Sequence, residues 1–200
     1  MTKSNKRKST SSPLFQDIHD KKILTLLKNF PRSEGGMNVP SADGRLLYDL
    51  IIDNGYTRGL EIGTSNGFSG LWLGLAFRQT GGTLITLENE LERAKQAQTI
   101  FLKARLDGII DSRICDALKE IPRVNGKFDF VFIDAWKDDY LKYFQLVRTR
   151  ITPGGLIAAH NVDNARHEMV DFLEVIVSDT DFTTSIERIS SAGVSLSFKR

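Results

Sequence analysis

Five short apolar runs, separated by longer amphipathic segments, constrain the fold of this 200-residue chain more than any other feature. They are rich in Val, Ile, Leu and Phe without polar alternation, and cover residues 59–63, 83–87, 112–115, 128–133 and 155–159. Strands of this kind are buried on both faces, as in a parallel sheet covered by helices. The segments between them have helical spacing and cover residues 69–79, 90–106, 116–121 and 138–150. The alternation predicts a doubly wound α/β sheet.

The two ends of the chain depart from this alternation. Before the first strand, helical patterns cover residues 18–30 and 44–53, joined by a loop rich in Gly, Pro and Ser. After a further helical pattern over residues 164–177, the segments 182–189 and 194–198 alternate apolar and polar residues around a Ser-Ser-Ala-Gly turn. This ending predicts an antiparallel C-terminal hairpin on a mostly parallel sheet.

Composition and charge indicate one globular domain, which we place at residues 14–200. Residues 1–13 form a Ser/Thr-rich leader that contains four of the cations. Removing these four from the formal net charge of +2 leaves about −2 for the rest of the chain. We expect the leader to be a disordered tail, or alternatively an electrostatic tether to anionic partners. The remainder lacks the basic stripe of a nucleic-acid-binding protein.

Two further sequence features concern the cellular compartment. No apolar run is long enough to cross a bilayer or to serve as the core of a secretory signal, so we expect no membrane partner. The chain has a single cysteine, Cys115, which excludes an intramolecular disulfide and fits a reducing compartment. We therefore expect a cytoplasmic protein.

A glycine-rich turn follows the first predicted strand. Gly63 and Gly67 enclose Thr64, Ser65 and Asn66 and precede a predicted helix. Small residues allow close approach to a ligand, and free N–H groups at a helix start suit a negatively charged group. The spacing is neither the dinucleotide G-x-G-x-x-G nor a P-loop, so a nucleotide-like ligand that carries a carboxylate fits best. A turn with no ligand is the alternative.

Acidic residues follow the next two predicted strands. Glu88 ends the second strand, where a carboxylate can bind both hydroxyls of a ribose, or can cap the following helix. Asp116 follows the third strand, and either reaches an adenine amino group or caps the next helix. Ligands of open α/β sheets collect at this edge, so we expect both side chains near the glycine turn.

The fourth and fifth strands end in a different set of side chains. Asp134, Trp136 and Lys137 follow the fourth strand, and His160 with Asn161 ends the fifth. The side chains of Asp134, His160 and Asn161 would be able to converge on a cation. Alternatively, His160 is a hydrogen-bonded structural histidine.

At these residues the sequence resembles the class I S-adenosylmethionine-dependent methyltransferases, and within them the catechol O-methyltransferase-like family of small, metal-dependent O-methyltransferases. The likeness covers nearly the whole chain and implies a Rossmann-like methyltransferase sheet. The stretches that carry it are Met37-Asn38-Val39, Glu61-Ile62-Gly63, Gly67-Phe68-Ser69, Glu88, Asp134-Ala135-Trp136-Lys137-Asp138, Tyr140-Leu141 and His160-Asn161-Val162.

The resemblance implies a role for each matching residue. Met37 would lie near the reacting sulfonium, Val39 and Ser69 would hold the amino acid part of S-adenosylmethionine, and Glu88 would bind its ribose. The full set of expected cofactor-binding residues is Met37, Val39, Glu61, Gly63, Ser65, Gly67, Ser69, Glu88, Asp116 and Asp134. Asp134 and Asn161 match metal ligands, and Lys137 matches the catalytic base. Trp136 matches an aromatic wall of the acceptor pocket, which Lys137 and Asn161 would also line.

One position departs from the family pattern. His160 stands where the family places a second aspartate, next to the metal-binding asparagine. Mg²⁺ prefers oxygen ligands, so an imidazole here should weaken Mg²⁺ binding and favour Mn²⁺, Fe²⁺, Co²⁺ or Zn²⁺. If His160 is a ligand, the expected metal ligands are Asp134, His160 and Asn161. Alternatively the site binds no metal, and His160 itself removes the proton of the acceptor.

The resulting expectation is an enzyme that transfers a methyl group from S-adenosylmethionine to a hydroxyl of a small, catechol-like aromatic acceptor, with help from a divalent metal. Lys137, Asp134 and His160 would be its catalytic residues. A protein that binds the cofactor without transferring its methyl group and an NAD-dependent oxidoreductase are the alternatives, and the absent G-x-G-x-x-G argues against the latter. The resemblance also allows a homodimer.

Overall fold

The computed structural model describes residues 13–15, 18, 20–31 and 38–200. Within these residues the chain forms one seven-stranded sheet. Its strands are β1 (Arg58–Ile62), β2 (Thr83–Glu88), β3 (Ile110–Ile114), β4 (Phe128–Ile133), β5 (Ile151–His160), β6 (Phe182–Glu187) and β7 (Val194–Lys199). The order is β3-β2-β1-β4-β5-β7-β6, with the first five strands parallel and β7 antiparallel to both β5 and β6. The doubly wound sheet with an antiparallel C-terminal hairpin is confirmed.

Helices cover both faces of the sheet. They are α1 (Lys21–Lys28), α2 (Ser41–Asn54), α3 (Phe68–Thr80), α4 (Leu91–Lys103), α5 (Ala117–Glu120), α6 (Tyr140–Val147) and α7 (Val170–Ser178). Phe130 and Phe132 of β4 belong to the apolar core that α1 to α4 form on one face. Val131 and Ile133 alternate with these two residues along β4. They belong to the core that α6 and α7 form on the other face. Both faces being buried explains why the strand sequences show no polar alternation.

Several boundaries differ from the sequence predictions. The helix predicted over residues 164–177 begins only at Val170, because the backbone after β5 first makes a turn and a short 3₁₀ segment at Arg166–Glu168. The segment 138–150 is α-helical only in α6 and has 3₁₀ turns at Lys137–Asp139 and Arg148–Arg150. Residues 1–12 of the leader lie outside the described residues. In the described part of the chain, no helix is both long and apolar enough for a membrane span.

Strand register aligns the residues that will form the site. Ile62 of β1 pairs with Ile133 of β4, and Ile133 pairs with Ala159 of β5. The residues that follow are Gly63, Asp134 and His160, which the register therefore places side by side at the carboxyl edge of the sheet. Asp134 N donates to Ile62 O at 2.9 Å, which extends the β1–β4 pairing to this edge.

Gly63 allows the ends of β1 and β4 to approach each other. Its φ is 100°, which L side chains rarely adopt, and a Cβ at this position would collide with the backbone carbonyl of Asp134. Gly81, at the end of α3, provides a contrast. It also has a positive φ, of 73°, but a Cβ there would have no neighbour within 4 Å.

Replacing Gly63 by Ala should therefore destabilise the protein more than replacing Gly81 by Ala. Both variants incur a left-handed backbone penalty of about 1–2 kcal/mol, and only Gly63→Ala also forces β1 and β4 apart. Urea unfolding monitored by circular dichroism gives both losses in the free energy of unfolding. Equal losses would show that the contact between Gly63 and Asp134 does not constrain the sheet.

Candidate active site

A cleft of about 1010 Å³ opens at the carboxyl edge of the parallel strands. It brings together most of the residues that the sequence marked as functional, namely Val39, Gly63, Ser65, Ser69, Glu88, Asp116, Asp134, Trp136, Lys137, His160 and Asn161. Glu61 and Gly67 do not line the cleft: Glu61 is fully buried in β1, and Gly67 packs against Ala97 of α4. Met37, the residue expected near the sulfonium, lies outside the described residues.

The glycine turn and Glu88 form one hydrogen-bonded unit. Ser65 has a left-handed backbone with φ of 48°, and its N–H donates to Glu88 Oε2 at 2.7 Å. Glu88 Oε1 accepts from the backbone N–H groups of Asn89 and Glu90, at 3.1 and 3.0 Å. A carboxylate offers about four acceptor positions, so three bonds hold the side chain in place and leave capacity for a ligand hydroxyl.

Polar atoms around the turn lack protein partners. Ser65 Oγ, Asn66 Oδ1 and Asn38 Oδ1 are all buried without a hydrogen bond, and all three residues line the cleft. Buried polar groups are normally satisfied, so unpaired ones beside a cavity suit a polar ligand. A nucleoside with an amino acid portion would supply suitable donors and acceptors, so these residues fit S-adenosylmethionine.

Glu61 lies beneath the turn and has an unusual environment for a carboxyl group. Its Oε2 accepts from Thr86 Oγ1 at 2.6 Å, whereas its Oε1 has no partner. Burial raises the pKa of Glu61 to about 7, from an ordinary value of 4.5, against the opposing effect of the nearby Ser69 and Thr86 side chains. The side chain therefore titrates close to neutral pH.

Asp116 caps a helix. Its Oδ1 accepts from Leu118 N at 3.0 Å at the start of α5, and its Oδ2 pairs with Lys119 at 3.0 Å. The capping interpretation of Asp116 is confirmed. Asp116 also lines the cleft, so its contact with adenine stays a prediction.

Lys137 is fixed at the end of β4. Its Nζ donates to Asp134 Oδ1 at 3.0 Å and to the hydroxyl of Tyr140 at 2.9 Å. That hydroxyl donates in turn to the backbone carbonyl of His160 at 3.2 Å. Burial raises the pKa of Tyr140 well above its ordinary value, so the phenol stays neutral. These bonds use two of the three N–H groups of the Lys137 ammonium and leave one for a substrate.

His160 lies between two carboxylates. Its Nε2 is 2.9 Å from Oδ2 of Asp43, and its Nδ1 faces Oδ2 of Asp134 at 3.4 Å, an ion-pair distance without hydrogen-bond geometry. Burial lowers the pKa of His160, but the contacts with Asp134 and Asp43 outweigh it and raise this pKa to about 9. Burial likewise raises the pKa of Asp134, and its contacts with His160 and Lys137 reverse this and hold it below its ordinary value.

Sequence reasoning missed Asp43 and Ser190. Asp43, in the first turn of α2, is fully buried, and its Oδ2 also accepts from Ser190 Oγ at 2.6 Å. One signal was available in the sequence: Asp43 lies four residues before Leu47 and eight before Ile51, on the face of α2 that enters the core. An acid on an apolar helix face needs a buried partner, which here is His160. Ser190, in the turn between β6 and β7, carried no such signal.

The residues expected to bind a divalent metal ion contact neighbouring side chains. Asp134 presents one oxygen to Lys137 and the other to His160, and Asn161 donates its side-chain amide to Asn164 Oδ1 at 3.1 Å. Among the residues that the structure describes, no group of three or more His, Cys, Asp or Glu side chains is arranged for a metal. The prediction of a metal centre is therefore not confirmed.

The fold and the cleft are those of a doubly wound nucleotide-binding protein, in which a glycine turn after the first strand and an acid at the end of the second face a shared cleft. A model of the O-methyltransferase family matches residues 14–170 of the chain. The chain belongs to this family.

Individual relatives agree with this assignment. A catechol O-methyltransferase of Niastella koreensis is 38% identical over 107 residues, which are 52% of this chain and 48% of that protein. Caffeoyl-CoA O-methyltransferase 2 of Zea mays is 32% identical over 131 residues, 62% of this chain and 49% of that protein. The chain spans about half the length of these curated relatives. An O-methyltransferase from Bacillus cereus, solved with SAH, superposes with a TM-score of 0.79 at 25% identity, covering 93% of this chain and 95% of that one.

The raised pKa of Glu61 predicts how stability depends on pH. The folded state keeps the proton of Glu61 up to about pH 7, whereas the unfolded chain loses it near pH 4.5. This contribution is therefore fully present below pH 4.5 and is lost as the pH rises through 7. Glu61→Gln removes the titrating group. The free energy of unfolding of this variant, measured relative to wild type, should therefore rise by at most about 3 kcal/mol between pH 4.5 and pH 8.

Unfolding in urea at the two pH values, without cofactor, measures this change. Glu92→Gln, on the exposed surface of α4, controls for the loss of one carboxyl charge. A pH-independent difference between Glu61→Gln and wild type would show that Glu61 is ionised throughout this range.

Proposed function

We propose that this protein is an S-adenosylmethionine-dependent O-methyltransferase that acts on a hydroxyl of a small, catechol-like aromatic acceptor. The observation that carries the proposal is the position of Lys137. Its ammonium is held by Asp134 and Tyr140 in the same cleft as the glycine turn and Glu88. A lysine amino group and a candidate nucleotide site that share one cleft suit transfer between a bound cofactor and a second substrate.

The cofactor would lie across the ends of β1 and β2. Glu88, fixed by three backbone N–H groups, would accept from the ribose hydroxyls. Val39 and Ser69 would contact the amino acid portion, and Gly63, Ser65 and Gly67 would shape the turn against it. When bound, S-adenosylmethionine supplies an electrophilic methyl group on a positively charged sulfur.

Lys137 would act on the acceptor hydroxyl. In its neutral amine form, Nζ would take the hydroxyl proton and so prepare the oxygen for attack on the methyl group. S-adenosylmethionine would supply this methyl group and, with the bonding electron pair left on its sulfur, would become S-adenosylhomocysteine. Holding the acceptor oxygen and the methyl carbon at attack distance lowers the activation free energy by on the order of 7 kcal/mol or more.

Two observations support a catechol-like aromatic acceptor, namely a side chain at the rim of the cleft and the names of the relatives. Trp136 lines the rim with 75% of its surface exposed, which suits stacking against an aromatic acceptor. Relatives of this chain act on catechol and on caffeoyl-CoA, by their names. A vicinal aromatic diol is the acceptor chemistry that best combines these two observations.

His160 does not suit the role of base. A base needs an unprotonated nitrogen within reach of the acceptor. The pKa of His160 is raised to about 9 by its two carboxylate neighbours, and Nε2 is engaged by Asp43. Lys137 also lines the cleft and is not enclosed between two carboxylates, so in its neutral amine form it is the preferred candidate.

The function is tested by measuring S-adenosylhomocysteine release from a panel of catechols, with monophenols and aliphatic diols as comparison acceptors. Calorimetry with S-adenosylmethionine and with NAD accompanies the assay. We expect S-adenosylmethionine binding and turnover that is highest for catechols. Binding of S-adenosylmethionine without turnover on any acceptor would indicate a cofactor-binding protein. Binding of NAD and not of S-adenosylmethionine would indicate an oxidoreductase.

Two substitutions of Lys137 test its role as base. Lys137→Ala removes the amine, and Lys137→Arg keeps a positive charge but cannot accept a proton at neutral pH. Both should lower kcat by about 100-fold or more, because a general base contributes at least this factor. The Kd for S-adenosylmethionine should stay close to the wild-type value. Activity retained by Lys137→Arg would show that Lys137 contributes charge and not proton transfer.

A further inference from the structure

Two asparagine side chains at the cleft hold the same backbone carbonyl. Asn38 Nδ2 donates to Pro31 O at 3.0 Å, and Asn66 Nδ2 donates to the same oxygen at 3.3 Å. Asn66 lies in the glycine turn after β1, and Asn38 comes just before Val39 and the start of α2. The two amides therefore join the chain beyond the end of α1 to the glycine turn.

These hydrogen bonds fix the orientation of both amide groups. A carbonyl oxygen only accepts hydrogen bonds, so each asparagine turns its Nδ2 toward Pro31 O and its Oδ1 away from it. Both Oδ1 atoms are buried without a hydrogen-bond partner among the described residues, and both asparagines line the cleft. Only 6% of the surface of Asn66 is exposed. Leaving such an oxygen unpaired is unfavourable, so this corner of the cleft favours a ligand that donates hydrogen bonds.

The start of α3 offers the opposite chemistry. Its cap residue is Gly67, which directly follows Asn66, and within the described part of the chain no side chain caps this end of the helix. Phe68 and Ser69, the first two residues of α3, line the cleft. Free N–H groups at the start of a helix donate hydrogen bonds and favour an anionic group. Acceptors and donors for a ligand are therefore adjacent along the chain.

We propose that Asn38 and Asn66 form a recognition site for the α-ammonium group of the cofactor, whose α-carboxylate lies at the N-terminus of α3. This inference rests on the proposed function of the cleft. It adds two side chains that were not among the expected cofactor-binding residues. An ammonium group only donates hydrogen bonds, so it matches the amide oxygens. A carboxylate only accepts them, so it matches the N–H groups of the helix.

The fixed amides make this recognition selective. Both side chains are held by Pro31 O before the cofactor binds, so the new contacts require little further ordering of the protein. A nucleoside without an amino group would leave the two Oδ1 atoms buried and unpaired. A site built to pair a donor rejects an analogue that lacks this donor more strongly than an apolar pocket rejects a missing methylene.

Water is the rival partner of these two oxygens. A water molecule also donates hydrogen bonds and would pair Oδ1 of Asn38 and Asn66 without any contact with the cofactor. In that arrangement the affinity for a nucleoside would not depend on its amino group through these side chains. The two arrangements can therefore be separated by binding measurements alone, without an activity assay.

The first experiment compares three ligands of wild-type protein by calorimetry. They are S-adenosylhomocysteine, its analogue with hydrogen in place of the α-amino group, and its analogue with hydrogen in place of the α-carboxylate. S-adenosylhomocysteine should bind at least about tenfold more tightly than the analogue without the amino group, because hydrogen bonds from a charged donor are lost. Equal affinity of wild type for these two ligands would overturn the proposal.

The second experiment repeats the three titrations with Asn66→Ala, which removes one of the two oxygens. The affinity should fall by about tenfold for both ligands that keep the amino group. For the ligand without the amino group it should stay within about twofold of wild type. Comparing ligands separates the contact with the cofactor from the hydrogen bond to Pro31, which the substitution also removes. An equal loss for all three ligands would show that Asn66 only supports the turn, and would refute the site.

Asn38→Ala is the second variant and should give the same pattern. Its side chain is less buried than that of Asn66, so the substitution disturbs the core less. Asn54→Ala is the matched control, because Asn54 Nδ2 donates to the backbone carbonyl of Leu50 at 2.8 Å on the exposed end of α2. The control should change none of the three affinities. Where Asn66→Ala does not fold, Asn38→Ala decides, and wild-type affinities in that variant would contradict the assignment.

Failure of this inference is distinguishable from failure of the proposed function. Absence of S-adenosylhomocysteine binding by the wild-type protein would refute the proposed function and the inference together. Tight binding that is indifferent to the α-amino group would leave O-methyl transfer standing and refute only the recognition site at the two asparagines.

Discussion

Parallel pairing of β1, β4 and β5 is the constraint on which the site depends. In a doubly wound sheet the carboxyl ends of parallel strands meet at one edge, because each connection returns the chain in the same direction. The register then places Gly63, Asp134 and His160 in a row. Gly63 is required in this row because a side chain would collide with the backbone of Asp134. The part of the cleft beside the glycine turn and the part beside Lys137 are therefore joined by backbone contacts.

Asp134 connects the backbone arrangement to the chemistry. Its two oxygens face two different basic side chains, Lys137 and His160, and each of these side chains is held by a further residue. Tyr140 holds Lys137, and Asp43 holds His160. Such a network limits the directions in which each side chain can move, since buried ionic groups are costly to leave unpaired. A site built in this way has its side chains in place before any substrate binds.

The sequence predicted the order of strands and helices but not all of their bounds, since β5 begins at Ile151, four residues before the predicted segment 155–159. The bounds of β4 agree to the residue, because its apolar run is closed by Asp134 and by polar residues before Phe128. The helix predicted over residues 164–177 begins late, because a left-handed backbone at Asn161 starts a turn that periodicity does not register. Among the site residues, the acids and bases at strand ends were found because strand order alone brings them together. Asp116 was left open between two roles, and local hydrogen bonds favour the cap.

The sequence by itself determined the class of sheet, the glycine turn, and the presence of Glu88, Asp134, Lys137 and His160 at one edge. These features follow from local patterns and from the rule that parallel strands end together. Only the tertiary structure decided what His160 contacts. Asp43 is 117 residues away in the chain and reaches the ring because α2 packs on one face of the sheet with its first turn beside His160. A contact over such a separation depends on the packing of a whole helix, so no local pattern specifies whether this histidine faces a metal or a carboxylate.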